Sequence, residues 1–495
     1  MSETPTLPED VDSRRRVVAA VPRVLALVAL WCPEAPSRIG EVLLLPSSSE
    51  PRVFGRGAAR IDDRHPRVLL VRQRPGMTEP TEPLELPHVS REQLLLHAHD
   101  DHLVVENVGM CALAGVPLGV SRVEVRPGDL LQLGRQLSFY CTTRPAWFPA
   151  LPGDPALHPF GGRDPFGIVG ESEAAWTLRM QLTLVARRQE HVLVRGDSGT
   201  GKELVAHAIH TCSARAGRPL VARNAATIPP GIADAELFGN TRNYPNAGMP
   251  ERVGLVGEAD GGTLFLDEFA ELSHEVQAHL LRVLDGGEYH RLGEPRARRS
   301  DFRLVAATNR PLSSVKHDVL ARMPHRLELT GLPARREDIV LLAIDVARRV
   351  ARNDSEVARK LFPDGELRRL PRFGFDLVRA LVTHDYTTHV RELEALLFRV
   401  LASGSPASDE GFGPPSTRPI APSPPRVAPS TLPPPPNAEV DHDGAELTRA
   451  RIQEVLDQHN GVLELAWRAL GLSSRHALAR LVKKHGVEVR RRPKP

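Results

Sequence analysis

The sequence has few cysteines, few aromatic residues and no long apolar run. Its four cysteines lie far apart and form no Cys-x-x-Cys pair, which argues against a disulfide scaffold or a zinc site and predicts reduced thiols in a cytoplasmic protein. Aromatic residues make up only 4% of the chain, and the net charge of +3 is too small to identify a partner. We expect no membrane helix, since none of the apolar runs approaches roughly 20 residues.

The apolar run Val24–Trp31 follows three arginines, Arg14–Arg16, and in this respect resembles the start of a signal peptide. Pro22 and Arg23 interrupt the pattern, and no small-residue cleavage site follows. We therefore interpret the run as a first β-strand.

Proline is abundant, with 45 residues, and its distribution divides the chain. The Pro-rich stretches 144–165 and 405–439 predict linkers, because such composition cannot pack a core. Residues 1–22 are predicted to be a disordered tail. Three candidate domains remain: 23–143, 166–404 and 440–495.

The chain is predicted to be multidomain, with a different fold class in each part. Residues 23–143 show short apolar runs cut by Gly, Pro and Ser, which predict an all-β sandwich. These runs are Val24–Trp31, Glu41–Leu45, Val68–Arg72, Leu94–His97, Leu103–Glu106 and Leu130–Leu133. In residues 166–404, helical patterns alternate with strands, which indicates an α/β parallel sheet. Its candidate strands are His191–Arg195, Thr263–Leu266 and Arg303–Thr308.

A Gly-rich loop follows the first of these strands and precedes a predicted helix over 203–210. Its residues are Gly196, Asp197, Ser198, Gly199, Thr200, Gly201, Lys202 and Glu203. Glycines let successive N–H groups face a phosphate, and the helix start adds its positive end. Lys202 would reach the β- and γ-phosphates of ATP. Glu203 departs from the usual Ser or Thr after the lysine.

A second motif ends the strand near Thr263 in Asp267-Glu268. Asp267 would hold Mg²⁺, directly or through water, and Glu268 would polarise the attacking water. The two motifs at this spacing predict ATP and Mg²⁺ as cofactors.

Residues 168–400 resemble the AAA+ domain of bacterial enhancer-binding proteins, which activate sigma-54 RNA polymerase. Lys202-Glu203 is that family's own form of the loop. The other matching motifs are Gly170-Glu-Ser, Glu236-Leu-Phe-Gly239, Ala306-Ala-Thr-Asn-Arg310, Arg336-Glu-Asp-Ile339 and Val390-Arg-Glu-Leu393. The resemblance implies a P-loop ATPase with a small α-helical lid that works as a dimer or ring-shaped hexamer.

The resemblance also implies roles for single residues. Asn224 matches the residue that holds the catalytic glutamate away from water. Thr308 and Asn309 lie at the sensor-I strand end, and Arg391 matches the sensor-II arginine over the nucleotide.

Two further matches concern the neighbouring subunit. Arg322 matches an arginine finger, and the companion finger falls on Lys316. Lysine keeps the charge but lacks the planar fork that grips phosphate, so weak turnover is expected. The alternative is that both are ordinary surface charges.

The family's polymerase-contacting loop, Gly-Ala-Phe-Thr-Gly-Ala, should occupy residues 243–248. Here the sequence is Asn-Tyr-Pro-Asn-Ala-Gly. The segment length predicts that the hairpin exists, but its Phe and Thr are absent. Tyr244 could supply an aromatic tip, so a sigma-54 contact is put in doubt.

The N-terminal domain resembles the forkhead-associated fold, a reader of phosphothreonine. The resemblance rests on Phe54-Gly-Arg56, Ser90-Arg91, Asn107, Gly128-Asp129 and Leu133-Gly134. It implies that Arg56, Ser90 and Arg91 bind the phosphate and that Asn107 grips the peptide backbone. Gln93 stands where a fold-supporting His is usual, and a sandwich without phosphopeptide activity is the alternative.

Residues 440–495 resemble a Fis-type helix-turn-helix, on Ala466 and Leu470-Gly471-Leu472. From residue 444 onward, eleven Lys and Arg against five Asp and Glu give about +6, which is typical of nucleic-acid binders. The resemblance implies an all-α DNA-binding domain. Its predicted contacts are Ser474, Arg475, His476, Arg480, Lys483 and Lys484.

Three functions remain open on the sequence. The first is a sigma-54-type, ATP-dependent regulator that binds an upstream DNA site and senses a phosphothreonine protein. The second binds ATP and DNA but acts without sigma-54. The third is a phosphoprotein-binding scaffold with a vestigial ATPase.

Overall fold

The computed structural model describes residues 21–60, 64–116, 121–150, 158–402 and 453. The chain divides into two compact units, Met1–Ala428 and Pro429–Pro495, and the elements named below lie in the first. The predicted tail (up to residue 20), the spacer 405–439 and, apart from Gln453, the helix-turn-helix lie outside the described residues. Within the described residues, no helix is both long enough and apolar enough to span a bilayer.

Two antiparallel sheets form the N-terminal part. The six-stranded sheet has the order β5-β4-β2-β1-β10-β9, and the four-stranded sheet has the order β3-β6-β7-β8. The strands are β1 (Arg23–Trp31), β2 (Val42–Leu45), β3 (Arg52–Phe54), β4 (Val71–Arg74), β5 (Met77–Pro80), β6 (Leu94–Ala98), β7 (Leu103–Asn107), β8 (Arg122–Val125), β9 (Leu130–Leu133) and β10 (Leu137–Pro145).

Side chains from both sheets meet in one buried core. In β1, Leu25, Leu27 and Ala29 face this core, as the alternation of a strand requires. The run Val24–Trp31 is thus a strand, as predicted. The predicted strand Val68–Arg72 is displaced, because β4 begins at Val71: the N–H of Val68 donates to the Val53 carbonyl, and the Leu70 carbonyl accepts from Thr81.

The central part contains a five-stranded parallel sheet with the order β12-β13-β16-β11-β17, which confirms the α/β prediction. Helices cover it, and β14 and β15 form a separate antiparallel pair. The elements are α1 (Glu173–Ala186), β11 (Val192–Arg195), α2 (Lys202–Thr211), β12 (Leu220–Asn224), α3 (Ala233–Phe238), α4 (Leu255–Glu258), β13 (Thr263–Asp267), α5 (His274–Gly286), β14 (Glu288–Tyr289), β15 (Arg298–Arg299), β16 (Arg303–Thr308), α6 (His317–Ala321) and β17 (His325–Glu328).

A helical lid follows the sheet: α7 (Ile339–Asn353), α8 (Ser355–Leu361), α9 (Phe375–Thr383) and α10 (His389–Ala402). The lid helices share a core into which Leu30, Trp31 and Ile39 of the sandwich also pack. The sandwich is therefore in direct apolar contact with the lid.

The segment predicted as the linker 144–165 differs from an extended spacer. Its start belongs to β10, and His158 and Asp164 are buried. The Asp164 carboxylate accepts from Arg179 Nε at 3.0 Å and from the N–H groups of Phe166 and Ile168, both at 2.9 Å. These partners offset the cost of burying the charge, so the segment can pack despite its prolines.

Candidate functional site

The Gly-rich loop links β11 to α2, at the carboxyl end of the sheet. Gly199 and Gly201 have φ values of +82° and +102°, which favour glycine, and a Cβ at Gly199 would come within 2.1 Å of the Thr388 carbonyl. Helix α2 begins without a side-chain cap. Its first N–H groups are thus available to an anion, which suits the phosphates of a nucleotide.

Lys202 lies at the first turn of α2 and is buried. Its Nζ donates to the carbonyl oxygens of Gly196 at 3.0 Å and Asp197 at 3.3 Å. The same Nζ lies 3.8 Å from Glu268 Oε1. The loop and the Asp-Glu motif, which the sequence predicted to cooperate, are therefore side by side.

Asp267 ends β13, and Glu268 follows in a left-handed conformation with φ +50°. Asp267 Oδ1 accepts from the Glu268 N–H at 3.0 Å, and Glu268 Oε2 accepts from the Asn309 N–H at 3.4 Å. Thr308 ends the neighbouring strand β16 and is buried. The ends of parallel strands thus bring Asp267, Glu268 and Asn309 together.

Asn224 ends β12 and stands beside Asp267 in the parallel register. Its Oδ1 accepts from the Ala226 N–H at 2.9 Å and caps the following turn. Asn224 therefore lies at the correct edge of the sheet, with its side chain turned to the backbone.

Lid residues reach the phosphate loop from the other side. Arg391 Nη1 donates to Ser198 Oγ at 2.7 Å, and the Val390 N–H donates to the Gly199 carbonyl at 3.2 Å. His389, buried and at φ +49°, places Nε2 3.4 Å from Asp197 Oδ2. The sequence interpretation missed His389, because no local pattern places it beside a residue so distant in the chain.

The two candidate finger residues lie near α6, away from Lys202 in the chain. Arg322 follows α6, pairs with Asp285 and has a side chain about half exposed, at 49%. This ion pair and hydrogen bond raise the pKa of Arg322. Lys316 precedes α6, and its backbone N–H donates to Gln277 Oε1 at 2.9 Å. The finger roles of Arg322 and Lys316 remain predictions.

The donor set suits a hard cation such as Mg²⁺. Asp267 supplies a carboxylate at the end of β13, beside the phosphate loop, and such oxygens are the ligands that Mg²⁺ prefers. Glu203 is exposed on the first turn of α2.

The loop 243–248 forms a compact turn. The Asn243 N–H donates to the Met249 carbonyl at 2.9 Å, and the Gly248 N–H donates to Asn243 Oδ1 at 2.9 Å. Tyr244 is 42% exposed, and its ring lies against Gly293. The segment thus folds back on itself as a turn above the isolated bridge between Asn240 and Arg252, without the strands of a regular hairpin, and Tyr244 lies on its surface.

The candidate phosphothreonine residues gather at one end of the sandwich. A cavity of about 360 Å³ is lined by Arg56, Gly57, Ala58, Arg60, Glu85 and Arg91. Ser90 Oγ accepts from the Met110 N–H at 2.8 Å. Arg60 brings a third guanidinium to the cavity, and the sequence interpretation did not include it. Its position four residues after Arg56 was the one feature of the sequence that could have indicated it.

Gln93 joins the loops that carry Ser90 and Asn107. Its Oε1 accepts from the Ser90 N–H at 2.9 Å, and its Nε2 donates to Asn107 Oδ1 at 2.6 Å and to the Cys111 carbonyl at 2.8 Å. Gln93 thus supports these loops in the position where a His was expected.

The predicted DNA contacts at 474–484 lie outside the described residues.

Comparison with known proteins identifies the central part. Residues 168–330 match the sigma-54 interaction domain, an AAA+ P-loop ATPase domain. The phosphate loop, Asp267 and Glu268 all lie inside this match to an ATPase domain.

Several curated proteins are similar over a longer stretch. The transcriptional regulatory protein ZraR of Escherichia coli O157:H7 is 34% identical over 325 residues, which are 64% of this chain and 68% of that protein. ZraR of E. coli K12 is 38% identical over 253 residues, 49% of this chain and 55% of that protein. The Nif-specific regulatory protein of Bradyrhizobium diazoefficiens is 34% identical over 369 residues, 66% of this chain and 61% of that protein. The chain thus spans between 55% and 68% of the length of these relatives.

Among solved structures, NtrX from Brucella abortus in complex with ADP is 27% identical, with a TM-score of 0.43. The alignment covers 66% of this chain and 70% of that one.

Proposed function

This chain belongs to the family of sigma-54-dependent transcriptional regulators, and from that premise we propose that it is a cytoplasmic, DNA-binding regulator that hydrolyses ATP to remodel a transcription complex. The observation that carries the proposal is the placement of Lys202, Asp267 and Glu268 around one phosphate loop. The 3.8 Å between Lys202 Nζ and Glu268 Oε1 puts the cation and the candidate base within reach of one γ-phosphate.

Each of these residues has a task in hydrolysis. The N–H groups of the loop and Lys202 hold the β- and γ-phosphates, and Asp267 would hold a Mg²⁺ ion, whose positive charge would stabilise the phosphates. Glu268 accepts a proton from the attacking water, and the Asn309 N–H orients its carboxylate. Arg391 moves from Ser198 Oγ to the phosphates, because a phosphate is the stronger acceptor for a guanidinium.

Turnover requires a second copy of the chain. Arg322, with Lys316 beside α6, reaches the γ-phosphate of the neighbouring subunit and stabilises the charge of the transition state. Arg322 would exchange its exposed partner Asp285 for that phosphate, which costs little because exposed ion pairs are weak. Activity therefore depends on assembly into a dimer or a ring.

DNA binding belongs to residues 440–495. The support is their resemblance to a helix-turn-helix and the charge of about +6 from residue 444 onward, counted as eleven basic minus five acidic residues. Footprinting over a salt series tests this assignment. Replacing Arg475 should reduce the specificity at one base position and cost about 1–3 kcal/mol of binding free energy. Replacing Lys483 should lower the affinity for all DNA sequences alike. Site-specific binding by a chain that lacks residues 440–495 would contradict the assignment.

The sandwich is proposed to sense a phosphothreonine protein. Support comes from the cavity beside Arg56 and Arg91 and from the Gln93 network that holds Ser90 and Asn107. Calorimetry of the full chain with a phosphothreonine peptide library should detect binding that the unphosphorylated peptides lack. Equal affinity of the parent and Arg56→Ala would remove this function from the proposal.

A regulator that acts without sigma-54 is the second candidate, and the loop 243–248 favours it. The family's Phe and Thr are missing there, and Tyr244 alone offers an aromatic contact. In-vitro transcription with sigma-54 polymerase and ATP separates the candidates. ATP-dependent open-complex formation that is lost in Tyr244→Ala supports the first; unchanged transcription with and without the protein, despite ATP hydrolysis, supports the second.

A further inference from the structure

Arg74, in strand β4 of the sandwich, forms a buried ion pair with Glu171 of the ATPase domain. Its Nη2 lies 2.8 Å from Oε1 and its Nε 3.3 Å from Oε2, and the two side chains are 7% and 3% exposed. The same carboxylate accepts from the Gly161 N–H at 2.8 Å and from the Trp176 indole at 3.1 Å. Glu171 is thus held by three donors, of which Arg74 is the charged one and makes two of the contacts.

Glu171 and its neighbour Ser172 also hydrogen-bond to Asp338, the last residue before the lid. Asp338 Oδ1 accepts from the N–H groups of Glu171 at 2.9 Å and Ser172 at 3.0 Å, and Oδ2 accepts from Ser172 Oγ at 2.5 Å. Asp338 immediately precedes α7, the first lid helix. Arg144 of β10 adds a second tie, since its Nη2 donates to the Glu171 carbonyl at 2.5 Å.

The lid in turn contacts the phosphate loop. Arg391 of α10 contacts Ser198 Oγ at 2.7 Å, and α7 and α10 share one buried core. The Trp31 ring of the sandwich stacks on Phe373 in the same core, with ring centroids 5.9 Å apart. A cavity of about 430 Å³ lies between the two domains, and Thr142 of β10 and Thr200 of the phosphate loop both line it.

We propose that Arg74 is a positioning residue of the nucleotide site. Through Glu171 and Asp338 it fixes the start of the lid against the sheet, and thereby sets where Arg391 stands over the phosphate loop. The sandwich then contributes to nucleotide binding by the ATPase domain, in addition to its role as a candidate sensor. This inference rests on the proposed nucleotide binding and hydrolysis.

Four variants of the full chain test it, with mant-ADP affinity, the KM and kcat for ATP, and the thermal midpoint as readouts. Arg74→Ala should raise the mant-ADP Kd and the ATP KM by about 5- to 150-fold, the usual range for coupled sites, with a smaller effect on kcat. Arg74→Lys should recover part of the loss, because an ammonium keeps the charge but makes only one contact. Glu171→Gln should resemble Arg74→Ala, and adding Arg74→Ala to it should raise the Kd little further.

Arg126→Ala is the control within the sandwich, since the Arg126 side chain is about half exposed, at 48%, and its ion-pair partners among the described residues are Glu124 and Asp101 of the same domain. It should leave the Kd and KM unchanged. If Arg74→Ala lowered the thermal midpoint but kept the control's Kd and KM, Arg74 would be merely structural and the inference would be wrong. If Arg74→Ala failed to fold, Arg74→Lys and Glu171→Gln would give the same decision.

The outcomes for the two proposals differ. A wild-type chain that binds mant-ADP with Arg74-dependent affinity but hydrolyses no ATP would keep the positioning role and overturn hydrolysis. A wild-type chain that binds no nucleotide would overturn both.

Discussion

Glu268 combines three constraints at one residue. Its left-handed backbone, at φ +50° and ψ +42°, costs of order 1–3 kcal/mol for a residue with a side chain. The Asn309 N–H holds one of its carboxylate oxygens, and Lys202 lies near the other. Such strain persists where the surroundings fix it, which fits a residue that must aim at one water molecule.

Glu268→Gln should therefore retain ATP binding but lower hydrolysis at least about 100-fold, because the amide cannot accept the proton of the attacking water. Lys202→Ala should instead abolish nucleotide binding. Phosphate release and mant-ATP fluorescence measure the two effects. Glu275→Gln, on the exposed face of α5, is the matched control and should behave as the parent. Normal hydrolysis by Glu268→Gln would show that another group is the base.

Lys316→Arg should raise the ATP turnover, because a guanidinium can grip the neighbour's γ-phosphate with two donors where an ammonium offers one point charge. Steady-state hydrolysis at a protein concentration that saturates assembly is the measurement. An unchanged rate would mean that Arg322 suffices or that Lys316 is no finger.

Much of the candidate nucleotide site could be predicted from local motifs. The contacts between residues that are distant in the chain could not. Gly196–Glu203 and Asp267-Glu268 carry their geometry within a few residues, so the sequence indicated both. Arg74 and Glu171 lie 97 positions apart, and no periodicity connects them. The same holds for His389 and Asp197, 192 positions apart.

At the scale of elements, the start of α10 depends on one carboxylate. Glu392 Oε2 accepts from the N–H groups of Thr387 at 2.7 Å and Thr388 at 3.0 Å, and its Oε1 lies 2.8 Å from His384 Nε2. Partial burial raises the pKa of Glu392, but these donors outweigh it and bring the pKa down to about 2 from an ordinary 4.5. The carboxylate thereby fixes the turn that leads to Arg391.

Glu392→Gln should destabilise the fold at pH 7 by about 1–3 kcal/mol, the usual cost of losing charge-assisted hydrogen bonds. Since the folded pKa is lowered, this contribution is present above pH 4.5 and is lost as the pH falls toward 2. The gap in unfolding free energy between the parent and Glu392→Gln should then close over that window. Urea denaturation at a series of pH values tests this, and a constant gap would contradict it.

Strands of the sandwich were predicted correctly where the side chains alternate between the two faces of the sheet. The prediction failed where backbone hydrogen bonds determine the start of the strand. The nine residues of β1 pair along most of their length with β10, and their apolar pattern predicted the strand. Val68 and Leu70 are equally apolar and buried, yet they lie outside β4 because their backbone groups bond to Val53 and Thr81. Composition alone likewise suggested a linker at 144–165, but the Asp164–Arg179 pair allows residues 158–165 to pack.

For the whole molecule, the sandwich and the ATPase domain form one continuous body. The Arg74–Glu171 pair and the Trp31–Phe373 stack join the candidate sensor to the lid. A ring built from such subunits would place each Arg322 against a neighbour's phosphate loop. We propose that ATP is hydrolysed between subunits, with Glu268 from one and Arg322 from the next.

Mixing two inactive variants tests whether hydrolysis takes place between subunits. Glu268→Gln lacks the base but keeps the finger, and Arg322→Ala lacks the finger but keeps the base. In a mixed assembly, an intact Glu268 can meet an intact Arg322 across an interface, so an equimolar mixture should hydrolyse ATP well above the sum of the two variants alone. A mixture that remains as inactive as its components, although the two variants assemble together, would contradict the claim.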